Sequence, residues 1–246
     1  MRSQYKYRRS SFFNSYFPTG VKWLIVSNVA IFVALTLFGR WIGEDVRLLA
    51  LAPRAVVSYF ALWQLVTYLF IHAGISHLLF NMLALWMFGV PLEQTWGTKR
   101  FLKYYFLCGI GAGFCDVALH AALGSWGTRT VGASGAIYGL LMAFGVLFPN
   151  QKVLMDFLFP IKAKYMVMIY GAIALLLAFS ANPDGVSNIA HLGGMIFGYV
   201  YLKGRLPRLS LPDWNAAYKQ WKLRRAKKKF QVYMRKHGDR RGPWVN

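Results

Sequence analysis

A serine and a histidine stand inside two apolar stretches of this sequence. Ser134 lies in the motif Gly-Ala-Ser-Gly (132–135), and His191 follows 57 residues later in Ala-His-Leu-Gly-Gly (190–194). Polar side chains are costly at membrane depth and are retained there mainly where a function uses them. A serine hydroxyl becomes a nucleophile when a base takes its proton, and histidine often serves as that base. The pair therefore predicts hydrolysis inside a lipid bilayer.

The composition predicts a polytopic membrane protein. The chain has 246 residues, of which 57% are hydrophobic and 15% charged, which is too apolar for an ordinary soluble domain. Apolar runs of membrane-spanning type occur at 21–39, 75–90, 101–123, 135–148, 165–181 and 188–202. We therefore predict an all-α fold with six transmembrane helices. The fourth and sixth runs are short and begin beside Ser134 and His191.

The basic residues predict the orientation of the chain. The N-terminal residues up to Lys22, the connections 93–103 and 149–164, and the segment from Lys203 onward hold 25 of the 29 Lys and Arg residues. Because basic residues collect on the cytoplasmic side, both termini are predicted to be cytoplasmic. We divide the chain into a basic segment (1–20), a six-helix domain (21–204) and a basic tail (205–246). Residues 1–20 have no signal-peptide core, so the first span is expected to act as an uncleaved insertion signal.

Four polar residues fall in one layer of the predicted bundle. A rise of 1.5 Å per residue places Ser134, His191, His77 and Asn81 about 18 to 24 Å above the basic side. In a hydrocarbon layer of about 30 Å this is roughly 6 to 12 Å below the outer surface. Water must reach that depth, so we expect a cavity open to the outer side.

Small residues predict how Ser134 and His191 meet. A hydrogen bond between these short side chains requires their helices to pack closely. Small residues recur every four positions in both spans, which is typical of tight membrane helix pairs. They are Gly135, Gly139 and Ala143 in one span and Ala190, Gly194 and Gly198 in the other. Tyr138 lies one turn after Ser134, where its ring can support the imidazole.

Together these motifs resemble those of the rhomboid intramembrane serine proteases. The resemblance covers about residues 20–204. It is carried by the 132–135 motif with Tyr138, by Ala190 and His191 with Gly194 and Gly198, and by the run His-Leu-Leu-Phe-Asn at 77–81. Each motif alone is weak, but the three in this order are specific.

The resemblance implies roles for the site residues. Ser134 would be the nucleophile and His191 the general base, without an acidic third member. His77 and Asn81 would donate hydrogen bonds to the oxyanion beside the Ser134 backbone N–H. The other motif residues, Gly132, Tyr138, Gly194 and Gly198, would support the site. The substrates would be transmembrane segments of other proteins, cut near the outer interface beside a small residue, with no cofactor or metal. We expect the bacterial inner membrane as the location.

Other interpretations of these residues stay open at this point. Ser134 is also suited to cap or pack a helix, and Asn81 to bind a neighbouring helix. His72 and His120 fit structural or water-exposed positions better than catalysis. Glu93 is expected to pair with Lys99 or Arg100. The whole domain could also be an inactive rhomboid-like protein that binds or escorts client helices.

The tail and the cysteines carry separate predictions. Residues 203–246 hold 14 basic residues among aromatic ones, which suits an anionic membrane surface. A solvated segment without a partner is the alternative. Nucleic-acid binding is not expected, because no recognition motif accompanies the charge. Cys108 and Cys115 are seven residues apart on one span, about 10.5 Å, which is too far for a disulfide.

Overall fold

The structure is a computed structural model that describes residues 17–42, 48–155, 159–178 and 187–205. The basic C-terminal tail and the first 16 residues lie outside this description, so the predicted lipid contact of the tail stays a prediction. The described helices, in chain order, are α1 (Thr19–Ile42), α2 (Pro53–Tyr59), α3 (Gln64–Thr67) with a 3-10 turn at Tyr68–Phe70, α4 (Ile75–Trp96), α5 (Thr98–Ala122), α6 (Ser134–Leu147), α7 (Ala163–Leu176) and α8 (Asn188–Arg205).

Each of the six apolar runs overlaps one of these helices, which in order are α1, α4, α5, α6, α7 and α8. Residues 179–181 of the fifth run lie outside the described residues. Among the described residues, α1, α4 and α5 contain stretches long and apolar enough to cross a membrane on their own. The helices α6 and α7 are apolar but shorter, at 14 residues each. A helix of that length rises only about 21 Å.

The helix α6 lies at the centre of the bundle. It packs against α5, α4 and α7. Its small and aliphatic side chains Ala136, Leu140 and Ala143 are fully buried. In contrast, α1 packs mainly on α4 and exposes a row of large apolar side chains, among them Val29, Val33 and Leu37. The central helix thus brings its first residue, Ser134, inside the protein.

Two connections have structure that the apolar runs did not indicate. The segment between the first two spans contains α2, α3 and the 3-10 turn. The connection between α6 and α7 is an antiparallel hairpin of β1 (Lys152–Met155) and β2 (Phe159–Lys162), in which Val153 faces Ile161. Both segments are too short for an apolar periodicity to reveal them.

The expected pairing of Glu93 with Lys99 or Arg100 is wrong. The buried carboxylate accepts hydrogen bonds from the backbone N–H groups of Gly20 and Val21, both at 2.8 Å, and from the Thr98 hydroxyl. The first N–H groups of a helix lack acceptors inside that helix, and a negative charge there is favourable. Glu93 therefore caps α1 from a position more than 70 residues away in the sequence.

Candidate active site

The structure brings Ser134 and His191 into contact. Ser134 is the first residue of α6, and His191 lies in the first turn of α8. The serine Oγ and the imidazole Nε2 are 2.8 Å apart, within the range needed for proton transfer. The imidazole is buried, whereas Ser134 is partly exposed. A hydroxyl hydrogen-bonded to a base and open to a cavity is arranged for nucleophilic attack.

Tyr138 holds the plane of the imidazole. Its ring stacks on that of His191 with a centroid distance of 4.1 Å and an interplanar angle of 3°. The ring of Tyr170 on α7 packs edge-on against Tyr138 at 6.3 Å. Among the described residues, none hydrogen-bonds the other imidazole nitrogen, Nδ1. The stacking therefore restrains an imidazole whose Nδ1 has no hydrogen-bond partner within the described part of the chain.

The predicted close approach of α6 and α8 is confirmed. A Cβ atom added to Gly194 would overlap the carbonyl group of Gly135, and one added to Gly139 would lie 3.2 Å from the carbonyl oxygen of Gly194. One turn further on, a Cβ at Gly198 would lie 3.3 Å from the Cα of Gly139. The two backbones touch, which small residues alone permit.

Ser134 does not cap its helix with its side chain. The N-cap residue of α6 is Ala133, and no side-chain hydrogen bond caps this helix. The Ser134 hydroxyl is instead bonded to His191. As the first residue of α6, Ser134 has a backbone N–H without an acceptor inside the helix. This N–H group lies next to the hydroxyl, where an oxyanion would form.

His77 and Gly132 lie together beside Ser134. Gly132 has a φ of +117°, a conformation that side-chain-bearing residues rarely adopt. A Cβ at Gly132 would lie 2.7 Å from Nε2 of His77 and 3.8 Å from the Ser134 Oγ. Gly132 thus leaves the space that His77 occupies next to the nucleophile. On the ring's other side, His77 Nδ1 is 3.5 Å from the backbone N–H of Ala73.

Asn81 lies one turn after His77 on α4. It is buried, and its Nδ2 donates a 2.8 Å hydrogen bond to the backbone oxygen of His77. A side-chain amide carries two N–H donors, so this bond leaves the second for another acceptor. His72, for which a structural or water-exposed position was expected, is buried with its ring 5.1 Å from the His77 ring.

One cavity joins these residues. Its volume is about 580 Å³, and it extends over α6 between α4 and α7. The polar groups cluster at one end, and the remaining wall is almost entirely apolar or aromatic. The lining residues include His77, Asn81, Ser134, Tyr138 and His191, with Phe80, Ala84, Met87, Phe88, Ile137, Leu141, Met166, Tyr170 and the hairpin residue Leu154. An apolar peptide segment fits such a wall.

Sequence reasoning missed a second polar cluster behind the dyad. Asp116 on α5 is fully buried and accepts hydrogen bonds from the hydroxyls of Thr130 and Ser187. His120 lies 3.2 Å from the same carboxylate. A signal for this cluster was present, because Asp116 is the only acidic residue within the six apolar runs.

The sequence comparisons agree with this geometry. The family model described as the Rhomboid domain matches residues 59–208. The chain belongs to the rhomboid family. The match includes Ser134, His191, His77 and Asn81. It leaves out residues 1–58, with α1 and most of α2, and residues 209–246. Family membership and the apolar helices make this chain an integral, polytopic membrane protein of rhomboid type.

Individual rhomboid relatives are moderately similar to this chain. It is 35% identical over 138 residues to Rhomboid protease GluP of Bacillus subtilis, covering 56% of this chain and 25% of the relative. It is 32% identical over 197 residues to RHOMBOID-like protein 2 of Arabidopsis thaliana, covering 80% of this chain and 58% of the relative. It is 29% identical over 181 residues to Rhomboid-like protease 3 of Toxoplasma gondii, covering 72% of this chain and 66% of the relative. The chain thus spans between a quarter and about two thirds of these relatives.

Proposed function

We propose that this rhomboid protein is an intramembrane serine endopeptidase that cleaves transmembrane segments of other membrane proteins near the outer interface. The observation that carries the proposal is the 2.8 Å contact between Ser134 and His191 at the polar end of an apolar cavity. Rhomboid relatives that are named proteases support it at the level of the family.

The dyad supplies a complete proton path for peptide hydrolysis. His191 Nε2 takes the proton from Ser134 as the Oγ attacks the scissile carbonyl carbon. The imidazolium then gives this proton to the leaving nitrogen, and the C–N bond breaks to leave an acyl-serine. A water molecule, deprotonated by the same imidazole, attacks the ester. The serine regains its proton, and the acid product leaves.

We propose three hydrogen-bond donors for the oxyanion. We assign these roles to the Ser134 backbone N–H, the His77 imidazole and the second N–H of Asn81, since all three residues line the cavity that holds the nucleophile. Negative charge develops on the carbonyl oxygen only as the tetrahedral intermediate forms. Donors fixed in a site of low dielectric constant stabilise this charge, and loss of one such donor costs about 2.7 to 4 kcal/mol.

The cavity favours an unwound, apolar substrate segment. A helical peptide shields its own carbonyl groups with backbone hydrogen bonds, so the segment must extend before a carbonyl reaches Ser134. The apolar cavity wall, which includes Tyr138 and Leu154, then offers contacts to the rest of the segment. We expect a small residue before the cut and residues that weaken a helix nearby.

The membrane arrangement follows from the same helices. We propose six crossings, with both termini in the cytoplasm and the bacterial inner membrane as the location. The α6 helix, about 21 Å long, does not fill a hydrocarbon layer of about 30 Å. If its C-terminal end lies at the basic side, Ser134 lies below the outer surface, where a cavity admits water.

A cleavage assay in liposomes tests the proposal. The wild-type protein should cut a model transmembrane substrate, and Ser134→Ala should abolish cleavage without changing the melting temperature appreciably. Ser27→Ala is a matched control, since the Ser27 hydroxyl bonds the Trp23 backbone oxygen on α1 and Ser27 does not line the cavity. Undiminished cleavage by Ser134→Ala would reject the proposed nucleophile. A folded wild-type protein that binds substrate helices without cutting them would favour an inactive rhomboid-like binder.

A further inference from the structure

The Asp116 carboxylate bonds the two segments that carry the dyad. Its Oδ2 accepts a 2.9 Å hydrogen bond from the Thr130 hydroxyl, and its Oδ1 accepts one from the Ser187 hydroxyl. Thr130 precedes Ser134 by four residues, and Ser187 precedes His191 by four residues. The same carboxylate therefore anchors the chain shortly before the nucleophile and shortly before the base.

The nucleophile side of this connection is short and restrained. The backbone of Thr130 forms a bridge with Leu51, through hydrogen bonds of 2.8 and 3.0 Å. Two residues later, the Gly132 N–H donates to the backbone oxygen of Tyr68 at 2.9 Å. Only three residues separate Thr130 from Ser134, so a shift of Thr130 is passed to the nucleophile.

The base side is connected even more directly. Ser187 precedes α8 as its N-cap residue, and its Oγ accepts the Ala190 N–H at 3.1 Å. Its backbone oxygen accepts the N–H of His191 itself at 3.2 Å. The hydroxyl that caps the first turn is the one that donates to Asp116. Asp116 thus fixes the turn from which the imidazole projects.

We infer that Asp116 is a positioning residue of the dyad, which sets the separation of Ser134 and His191 by holding both segments on α5. The inference rests on the proposed protease function. Among the described residues, none hydrogen-bonds His191 Nδ1, so the imidazole is oriented by stacking on Tyr138 and by the placement of its backbone. A displacement of about 1 Å between reacting groups lowers a rate on the order of 10²-fold.

The properties of the Asp116 carboxylate suit a residue that positions its neighbours better than one that stabilises the fold. A buried carboxylate loses its hydration, and its interactions inside the protein recover little of that free energy. Apolar replacements of similar volume often give a protein that is at least as stable. A carboxylate does, however, accept from several donors in fixed directions. Here these donors belong to the two active-site segments and to His120.

The test compares Asp116 with a matched buried carboxylate. Glu93 also accepts three hydrogen bonds, but it joins α4 to the start of α1 and to Thr98, at the far end of α4 from His77. The variants are Asp116→Asn, Asp116→Ala and Glu93→Gln in the full chain. Each is assayed in liposomes for kcat and KM with a model transmembrane substrate, with active sites titrated by a fluorophosphonate, and for melting temperature.

The inference predicts a fall in kcat with KM unchanged within about twofold. Asp116→Ala should lose about 10²-fold in kcat, and Asp116→Asn, which retains one acceptor oxygen, should lose less. Glu93→Gln should melt lower and keep its kcat. Thr130→Val and Ser187→Ala each remove one hydrogen bond to Asp116. Added to Asp116→Ala, neither should lower kcat further, because partners in one network are not additive.

Three results would overturn the inference. One is a folded Asp116→Ala protein that melts lower yet keeps its kcat, as expected of a merely structural residue. If Asp116→Ala does not fold, full kcat in both Thr130→Val and Ser187→Ala is the second. The third is a wild-type protein that neither cleaves nor reacts with the fluorophosphonate, which would overturn the proposed function first.

Discussion

Asn81 occupies a position in which a structural bond and a catalytic bond can be separated by experiment. Its amide already bonds the His77 backbone oxygen, as an ordinary intrahelical side chain does. Asn28 on α1 makes the same kind of bond, to the Leu24 backbone oxygen at 2.8 Å, and is also buried, but it does not line the cavity. The two asparagines therefore differ mainly in access to the substrate.

We predict that Asn81→Ala lowers kcat by about 10²- to 10³-fold with little change in KM, because the contact strengthens as charge develops. Asn28→Ala should lose stability but keep its kcat. Steady-state kinetics on both variants, normalised to folded protein, measures the difference. A change confined to KM in Asn81→Ala would make Asn81 a substrate contact rather than an oxyanion donor.

Gly132 permits a second test at the residue scale. Gly132→Ala should lose activity, because its Cβ would meet Nε2 of His77 at 2.7 Å and because its φ of +117° strains any side chain. Gly124→Ala is the matched control, since Gly124 also has a positive φ, +71°, but nothing lies within 4 Å of its Cβ. Both variants bear a strain of about 1 to 3 kcal/mol. Equal activities for the two would remove the proposed link between Gly132 and His77.

At this scale the sequence predicted some residues and missed others for a physical reason. The contact between Ser134 and His191 was predictable because a polar residue in an apolar run stands out and because the neighbouring glycines imply close packing. The partners of Asp116 were not, since Thr130 and Ser187 are ordinary loop residues 14 and 71 positions away. Glu93 was assigned the wrong partners because its charge suggested a cation, whereas its donors are backbone groups of α1.

At the scale of elements, the contact between α6 and α8 determines whether the dyad forms. The Gly194 position faces the backbone of Gly135 directly, so no side chain fits there while the helices keep their separation. The spacing of small residues was enough to predict this contact. The α2 and α3 helices and the hairpin were not predictable in the same way, because each is shorter than two helical turns or six strand residues.

We predict that Gly194→Val loses on the order of 10²-fold in rate, because the reacting groups separate. It should also melt lower, by an amount consistent with overpacking of roughly 1 to 3 kcal/mol. Gly204→Val is the control on the same helix, where an added Cβ would meet nothing within 4 Å. Activity and thermal melting are measured on both variants. Full activity and unchanged melting in Gly194→Val would refute the role of close packing.

At the scale of the whole molecule, the charge distribution predicts which connections face the cytoplasm. The hairpin between α6 and α7 carries Lys152 and Lys162, whereas the connection between α5 and α6 carries only Arg129 as a basic residue. Under the positive-inside rule these two connections lie on opposite sides of the membrane. Ser134 directly follows the connection between α5 and α6, so the orientation also fixes the side from which water enters.

Cysteine labelling tests this orientation. Gly127→Cys should react with a membrane-impermeant maleimide applied to intact cells, since Gly127 is exposed with nothing within 4 Å of its Cβ. Lys152→Cys, also exposed, should react only after the membrane is opened. Cys108 is buried and Cys115 partly buried, so the wild-type protein serves as the background. Labelling of Lys152→Cys in intact cells would reverse the proposed topology.

The most direct test of the dyad is the site of covalent modification by a fluorophosphonate. The wild-type protein in liposomes should carry one adduct, which peptide mass spectrometry places on Ser134. His191→Ala should fold but label far more slowly, because no base accepts the proton of Ser134. The matched Ser27→Ala variant should label like the wild type. Labelling at another serine, or labelling of Ser134 at the wild-type rate in His191→Ala, would contradict the proposal that Ser134 and His191 form a catalytic dyad.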